Sequence, residues 1–170
     1  MKKSLSLFII AFIALTSSIN ANAWTDRNTF GLKGPVEAVY KDGSDYASME
    51  FDEYGYLIAF DDCKITRYKN NRIESYGTWI SYHTYYYNKK GQVSKTIHVC
   101  ETVPITTTYT YNTKGHVIKS ITKYPPKYEV KTSIITFTYQ KFDKYGNWTK
   151  RTFKEGKDSY VETRTITYYE

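Results

Sequence analysis

The sequence contains few of the side chains from which metal centres and active sites are built. It has three histidines and two cysteines in 170 residues, and the histidines fall in separate segments. A structural zinc site needs four ligands in a tetrahedral array, usually from closely spaced pairs. No serine stands in a nucleophile elbow, and no glycine-rich phosphate loop opens a helix. We therefore predict no metal, no cofactor and no enzymatic activity.

Long apolar runs are also scarce. The nine apolar residues at 7–15 fall well short of the roughly 20 that a membrane-spanning helix needs. Two lysines precede this run and the small-x-small pattern at 21–23 follows it, which is typical of a secretory signal peptide. We expect residues 1–23 to be a signal peptide. The rest of the chain, without a transmembrane segment, is then exported to the periplasm, cell surface or medium of a Gram-negative-type bacterium.

The mature chain, 24–170, is predicted to be one basic domain. Its 147 residues are the usual size of a single domain. Loss of the two lysines near the N-terminus reduces the formal net charge from +7 to +5. A basic exported protein meets acidic sugars and lipids more often than nucleic acid, and no nucleic-acid-binding module is present. The candidate partners are therefore a glycan, an acidic polymer or another exported protein, and the sequence leaves the ligand open.

Tyrosine is the abundant residue, at 19 of 170. Tyrosine, threonine, isoleucine and valine favour strands because rings and branched side chains pack well on a pleated surface. Side chains alternate in character in the segments 105–111 and 135–139, as expected of strands. Turn residues divide the chain at short intervals, and short connections join antiparallel neighbours. We predict an all-β fold: an antiparallel meander of about ten strands built from repeated hairpins, as an open twisted sheet or a solenoid-like array.

One phrase recurs four times: an aromatic residue, Asp or Asn, two free positions, Gly, any residue, and an apolar residue. Asp or Asn opens a type I turn, and glycine at the fourth place takes the left-handed conformation that other residues resist. This combination predicts a hairpin closed by a bulge at glycine. The turn glycines are Gly55, Gly91, Gly115 and Gly146. The expected cross-strand pairs are Phe51 with Leu57, Tyr87 with Val93, Tyr111 with Val117, and Phe142 with Trp148.

The recurring phrase resembles the YD repeat of the RHS family, in which a Tyr-Asp dipeptide is followed two residues later by glycine and then by an apolar residue. The segments 32–40 and 51–57 are also similar to the start of small exported proteins of gut-type Gram-negative bacteria that carry such repeats. The resemblance implies a β-hairpin array, an exported or surface location, and a role in binding or encasing. Two copies have Asn for Asp, two have Phe for Tyr, and the glycines are unevenly spaced. The toxin-delivery role of the large family members is therefore not carried over.

At the next position outward from the turn on three of these hairpins, two tyrosines and one glutamine are expected to lie opposite lysines. The predicted pairs are Tyr85 with Lys95, Tyr109 with Lys119, and Gln140 with Lys150. A lysine stem can lie along a tyrosine ring with its ammonium group in water, so these pairs would form a surface that is both apolar and cationic. The candidate binding residues are Tyr85, Lys95, Tyr109, Lys119, Trp148 and Lys150. A solvated sheet face with favourable packing is the alternative.

Cys63 and Cys100 are the candidate pair for a disulfide bond. The oxidising compartment of an exported protein permits such a bond. A bond also needs the two cysteines to lie close together, and strand alternation places them on opposite faces unless Asp61 and Asp62 break the register. The sequence leaves the question open.

The function predicted from the sequence is a non-enzymatic exported module with a binding or structural role. A glycan-binding protein that uses a sheet face of Tyr, Trp and Lys is the first alternative, and the others are a small outer-membrane β-barrel and an unrecognised hydrolase. Threonines occupy one face of the strand at 105–111. An outer-membrane β-barrel needs a continuous apolar band that faces the lipid, so this strand argues against that alternative. A groove with clustered Tyr and Trp would indicate glycan binding, and converging carboxylates or histidines would indicate a hydrolase.

Overall fold

The protein is built almost entirely from β-strands in the computed structural model, which describes residues 24–59 and 62–170. In this part of the chain one short helix, α1 (Asp26–Thr29), precedes eleven strands. The strands are β1 (Val36–Lys41), β2 (Ala47–Glu50), β3 (Lys64–Arg67), β4 (Ile73–Gly77), β5 (Ser81–Tyr87), β6 (Val93–Cys100), β7 (Val103–Tyr111), β8 (Val117–Lys123), β9 (Thr132–Phe142), β10 (Trp148–Glu155) and β11 (Asp158–Tyr168). The all-β prediction is confirmed, with eleven strands where about ten were expected. The predicted signal peptide, 1–23, lies outside the described residues.

The strands form a single open sheet in the order β2-β1-β11-β10-β9-β8-β7-β6-β5-β4-β3. From β3 to β11 each strand pairs antiparallel with the next one in sequence, so the predicted meander is confirmed over this part. The first hairpin, β1–β2, instead joins the sheet beside the last strand, where β1 pairs with β11. The edges of the sheet are therefore β2 and β3. No helix in the described part of the chain is long and apolar enough to cross a bilayer.

The four repeated phrases form four turns of one kind. Their glycines have φ angles of +92°, +82°, +85° and +83° in chain order, in the left-handed region that favours glycine. In the second turn, the Asn88 side chain accepts hydrogen bonds from the amides of Lys90 and Gln92. Each predicted cross-strand pair is confirmed: Phe51 with Leu57, Tyr87 with Val93, Tyr111 with Val117, and Phe142 with Trp148.

Tyrosine hydroxyls link successive hairpins. Each of three tyrosines donates to the carbonyl oxygen of the residue that begins the second strand of the preceding hairpin: Tyr87 to Ile73 at 2.8 Å, Tyr111 to Val93 at 2.7 Å, and Tyr139 to Val117 at 2.7 Å. Tyr87 and Tyr111 are the aromatic residues of their repeats, whereas the last repeat has Phe142 there and Tyr139 supplies the hydroxyl. Since a buried hydroxyl needs a partner, this ladder gives the abundant tyrosines a structural role.

The core joins the two ends of the sheet. It consists of Leu32, Val36, Val39, Phe51, Leu57 and Ile73. These residues come from β1, from β4 and from segments outside the strands, so the sheet must curve until its two ends share one core. Asp26, which is fully buried, accepts the amide of Leu57 and forms an ion pair with Arg67 of β3 at 2.7 Å. The segment around α1 thereby fastens one edge strand to the core.

Cys63 and Cys100 are both free thiols. Cys63 immediately precedes β3 and Cys100 ends β6, with β4 and β5 between them in the sheet. Three strand spacings amount to roughly 14 Å, whereas the Cα atoms of a disulfide lie within about 7 Å. The candidate disulfide therefore does not form, because the meander separates the two strands.

Candidate functional site

The expected pairing of tyrosines with lysines is wrong. The register shifts by one residue next to each turn, because a bulge places two residues of one strand opposite one residue of its partner. The predicted partners Tyr85 and Tyr109 instead pair with Thr96 and Ser120. The three lysines pair across the same hairpins as follows: Lys95 with Tyr86, Lys119 with Thr110, and Lys150 with Lys141.

The six candidate binding residues consequently divide between two faces of the sheet. Tyr85, Tyr109 and Trp148 lie on the face that carries the core, which we call the inner face, and line a groove there. Since successive side chains of a strand point to opposite faces, the lysines lie on the other face, which we call the outer face: Lys95, Lys119 and Lys150. The structure therefore brings the aromatic half of the predicted site together and removes the lysines from it.

The inner groove has a volume of about 610 Å³, and its lining comes from β5 to β11, from β1 and β2, and from the segment around α1. Ligand sites in proteins have volumes of roughly 300–1,000 Å³. Its aromatic lining consists of Phe30, Tyr85, Tyr109, Tyr111, Tyr139 and Trp148. Threonine hydroxyls lie between the rings, and the hydroxyls of Thr96 and Tyr109 are 3.1 Å apart. The groove thus offers apolar ring surface together with hydroxyl groups that both donate and accept hydrogen bonds.

The charged residues of the groove are mostly basic. Among the described residues that line it, Lys41, Arg151 and Arg164 are cationic and Glu162 is the one carboxylate. Sequence reasoning missed both arginines and the glutamate. Alternation of side chains along β10 could have identified Arg151. When the extra residue of the bulge after Trp148 is allowed for, Arg151 lies on the same face as Tyr139. The groove therefore has an excess of positive charge that does not depend on the predicted lysines.

Two arginines cover the ring of Trp148. The guanidinium carbon of Arg164 lies 3.9 Å from the ring centroid and that of Arg151 lies 4.1 Å from it. Arg151 also donates through two nitrogens to Glu162, each at 2.7 Å, and Arg164 Nε donates to the carbonyl oxygen of Trp148 at 2.7 Å. Trp148 is therefore a support for two cations, and its ring is not an open stacking platform.

Burial shifts the pKa values of this cluster without changing its charge at neutral pH. Burial, followed by repulsion from Arg151, lowers the pKa of the Arg164 guanidinium to about 10. This value is still well above neutral pH, so Arg164 keeps its charge in the groove. Burial also raises the pKa of Tyr85 and of Tyr109 above the ordinary tyrosine value. Both hydroxyls therefore stay protonated and able to donate hydrogen bonds.

Two histidines stack on each other at one end of the groove. The rings of His83 and His98 are 4.3 Å apart and almost parallel, at 8°, and His98 Nε2 lies 3.2 Å from the hydroxyl oxygen of Ser81. Burial, followed by the neighbouring His98, lowers the pKa of His83. Within residues 24–59 and 62–170, no three His, Cys, Asp or Glu side chains come together as metal ligands would.

No protein-family model matches this chain, and no curated protein matches its sequence. The candidate site is therefore defined by the geometry of the inner groove.

Proposed function

We propose that this protein is a non-enzymatic, exported binding module of the YD-repeat type, and that its ligand lies in the inner groove. The observation that carries the proposal is the groove itself, which combines aromatic rings, hydroxyl groups and an excess of positive charge in about 610 Å³. A sheet with a purely structural role has no need for a lined groove, because packing alone would fill the space between its two ends with apolar side chains.

A glycan is the ligand class that suits this lining best. Sugar rings present apolar faces and many hydroxyl groups, which match aromatic rings with polar edges and neighbouring hydroxyls. Tyr109 lies midway along the groove with its hydroxyl beside Thr96, and Tyr139 lies nearer to the arginines. The groove crosses several strands, so a chain of sugar units fits it better than a compact molecule does.

The carboxylate content of the groove favours binding over hydrolysis. Most glycoside hydrolases use two carboxyl groups on either side of the scissile bond. In the described lining, Glu162 alone carries a carboxylate, and Arg151 binds it in an ion pair. The described lining therefore offers one carboxyl group where that mechanism uses two, and the group is already engaged by an arginine. These features support a module that holds a glycan without cleaving it.

A matched pair of tyrosine variants tests the proposal. Tyr109 lines the inner groove and Tyr86 lies on the outer face, where it is 36% exposed beside Lys95. We expect Tyr109→Leu to weaken binding of a glycan found in a panel screen by roughly tenfold, the loss of about 1.4 kcal/mol. Tyr86→Leu should leave the affinity unchanged. Equal losses in both variants, or no loss in Tyr109→Leu with its melting curve retained, would remove the groove as the binding site.

Export has a separate test. The proposal requires that the signal peptide be cleaved after Ala23, so that the exported protein begins at Trp24. Mass spectrometry of the protein recovered from the periplasm or the medium should give the mass of 24–170. Recovery of a chain that retains Met1 from those fractions, or of the protein only from the cytoplasm, would contradict export.

A further inference from the structure

Two positive side chains lie directly opposite each other at one end of the inner groove. Lys41 of β1 pairs with Arg164 of β11 in the sheet register, and both side chains line the groove. Like charges in directly opposed positions destabilise a sheet. This arrangement concentrates positive charge in that part of the groove, where both cations would attract a negatively charged ligand.

The acids that act on Arg164 are engaged by other groups among the described residues. Two acids influence Arg164 electrostatically, Glu162 and Asp143. Glu162 is bound by Arg151, and Asp143 accepts the hydroxyl of Tyr168 together with turn amides. In the described part of the chain, neither Arg164 nor Lys41 takes part in an ion pair, since the two ion pairs there are Arg67 with Asp26 and Arg151 with Glu162.

The geometry leaves the outer part of the Arg164 guanidinium free for a ligand. Its Nε donates to the carbonyl oxygen of Trp148 and its carbon lies 3.9 Å from the centroid of the Trp148 ring, so the group is fixed in place. Neither terminal nitrogen has a hydrogen-bond partner among the described residues. A fixed guanidinium with two free nitrogens is suited to bidentate recognition of a planar anion.

We propose that Arg164 and Lys41 form an anion subsite at this end of the groove, and that it takes the carboxylate of an acidic sugar unit. This inference rests on the proposed function, because it names the class of glycan that the groove binds. Arg164 donates two parallel hydrogen bonds to the carboxylate, and Lys41, which is exposed, adds attraction through solvent. Tyr139 lies close to the Trp148 ring, at 6.3 Å between centroids, and contacts the sugar ring attached to the carboxylate.

A carboxylate fits the subsite better than a phosphate group does. Phosphate sites usually combine several cations with backbone amides, as at helix N-termini or glycine-rich loops. Here the subsite has one fixed guanidinium on a strand, with an exposed lysine beside it. A planar group with a single negative charge matches the two terminal nitrogens of that guanidinium.

The test compares one acidic and one neutral oligosaccharide of equal length. Calorimetric titration of the purified protein with a tetramer of galacturonic acid and with a tetramer of galactose should show tighter binding of the acidic chain. Arg164→Gln should weaken binding of the acidic chain by about tenfold to a hundredfold, as expected for loss of a charge-assisted pair, and leave the neutral chain unchanged. Lys119→Gln, which removes the same charge from the outer face, should change neither affinity.

A second variant covers the case in which Arg164→Gln does not fold. Lys41 is exposed and makes no side-chain hydrogen bond or ion pair among the described residues, so Lys41→Gln should keep the fold. This variant should still lower the affinity for the acidic tetramer by about two- to fivefold and leave the affinity for the neutral tetramer unchanged. Equal affinity for both chains would overturn the subsite while leaving the groove as a glycan site. Binding of neither chain would overturn the subsite and the proposed function together. Inorganic phosphate that binds more tightly than the acidic chain would overturn the carboxylate assignment.

Discussion

The packing of the N-terminal segment against the repeated turns can be tested with two glycines. Gly91 and Gly146 occupy the same place in their turns, with φ angles of +82° and +83°. They differ in their surroundings. A Cβ atom at Gly91 would lie 2.6 Å from the Trp24 ring and 2.9 Å from a terminal nitrogen of Arg72, whereas at Gly146 the nearest atom would be Lys33 Nζ at 3.6 Å. The pair therefore separates backbone strain from steric overlap.

The magnitudes follow from these distances. Gly146→Ala places a side chain in the left-handed conformation without steric overlap, which should cost about 1–2 kcal/mol. Gly91→Ala carries the same strain and must also displace Trp24, which is held by a hydrogen bond to Thr29 and by edge contact with Tyr87. Overpacking of this kind adds about 1–3 kcal/mol. We expect melting temperatures to fall by about 3–6 °C for Gly146→Ala and by about 6–15 °C for Gly91→Ala, at about 3 °C per kcal/mol.

Urea denaturation of the two variants measures the difference in unfolding free energy directly. A Trp24→Ala background removes the overlap with the ring and frees the flexible end of Arg72, which lies over that ring, to move aside. In that background Gly91→Ala should cost no more than Gly146→Ala does in the parent. A Gly146→Ala variant as stable as the parent protein would show that this turn does not require the left-handed conformation at residue 146. If Gly91→Ala cost the same with and without Trp24, the segment around α1 would not pack on the turn as described.

Three further predictions concern the tyrosine ladder, the thiols and the histidine pair. Tyr111→Phe should lower the unfolding free energy by about 0.5–1.5 kcal/mol in urea denaturation because it removes a hydroxyl bonded to a backbone carbonyl, whereas Tyr46→Phe, at an 84% exposed position, should have no effect; equal values would argue against the ladder. Thiol titration of the unfolded protein should find Cys63 and Cys100 both reactive before reduction, and a gain of thiols on reduction would show a disulfide instead. Burial and then the neighbouring imidazole lower the pKa of His83, so the unfolded chain takes up this proton at a higher pH than the fold does, and stability should decline as the pH falls below about 6.5. Urea denaturation between pH about 7.5 and 5.5 should show a smaller decline in His83→Phe, and an unchanged decline would exclude this residue as a cause.

The sequence was sufficient to predict the local structure of the hairpins. Asp or Asn and glycine at fixed spacing determine a turn through the chemistry of four residues, so the facing pairs such as Tyr87 with Val93 could be derived. The next cross-strand pair, further from the turn, could not be derived by counting residues from the turn, because the bulge at each turn adds one residue to one strand. Tyr85 therefore faces Thr96, and Lys95 points to the other side of the sheet.

Strand pairing and packing between distant parts of the chain could not be predicted from local sequence patterns. The pairing of β1 with β11 joins residues at the two ends of the domain, and no local signal identifies the partner of a strand at that distance. The same pairing brings Lys41 beside Arg164, so the charged end of the groove could not be foreseen. The shared core that includes Val39 and Ile73 likewise depends on how far the whole sheet curves.

Nuclear magnetic resonance of the tryptophan indole groups tests the central claim most directly, namely that the inner groove holds the ligand. The chain has three tryptophans, Trp24, Trp79 and Trp148. Trp148 lines the groove, and Trp79 is 88% exposed in the connection between β4 and β5. On titration with an oligomer of galacturonic acid, the indole signal of Trp148 should shift progressively and saturate, while that of Trp79 stays fixed. Saturable binding that moves only Trp79, or leaves Trp148 unmoved, would contradict the account.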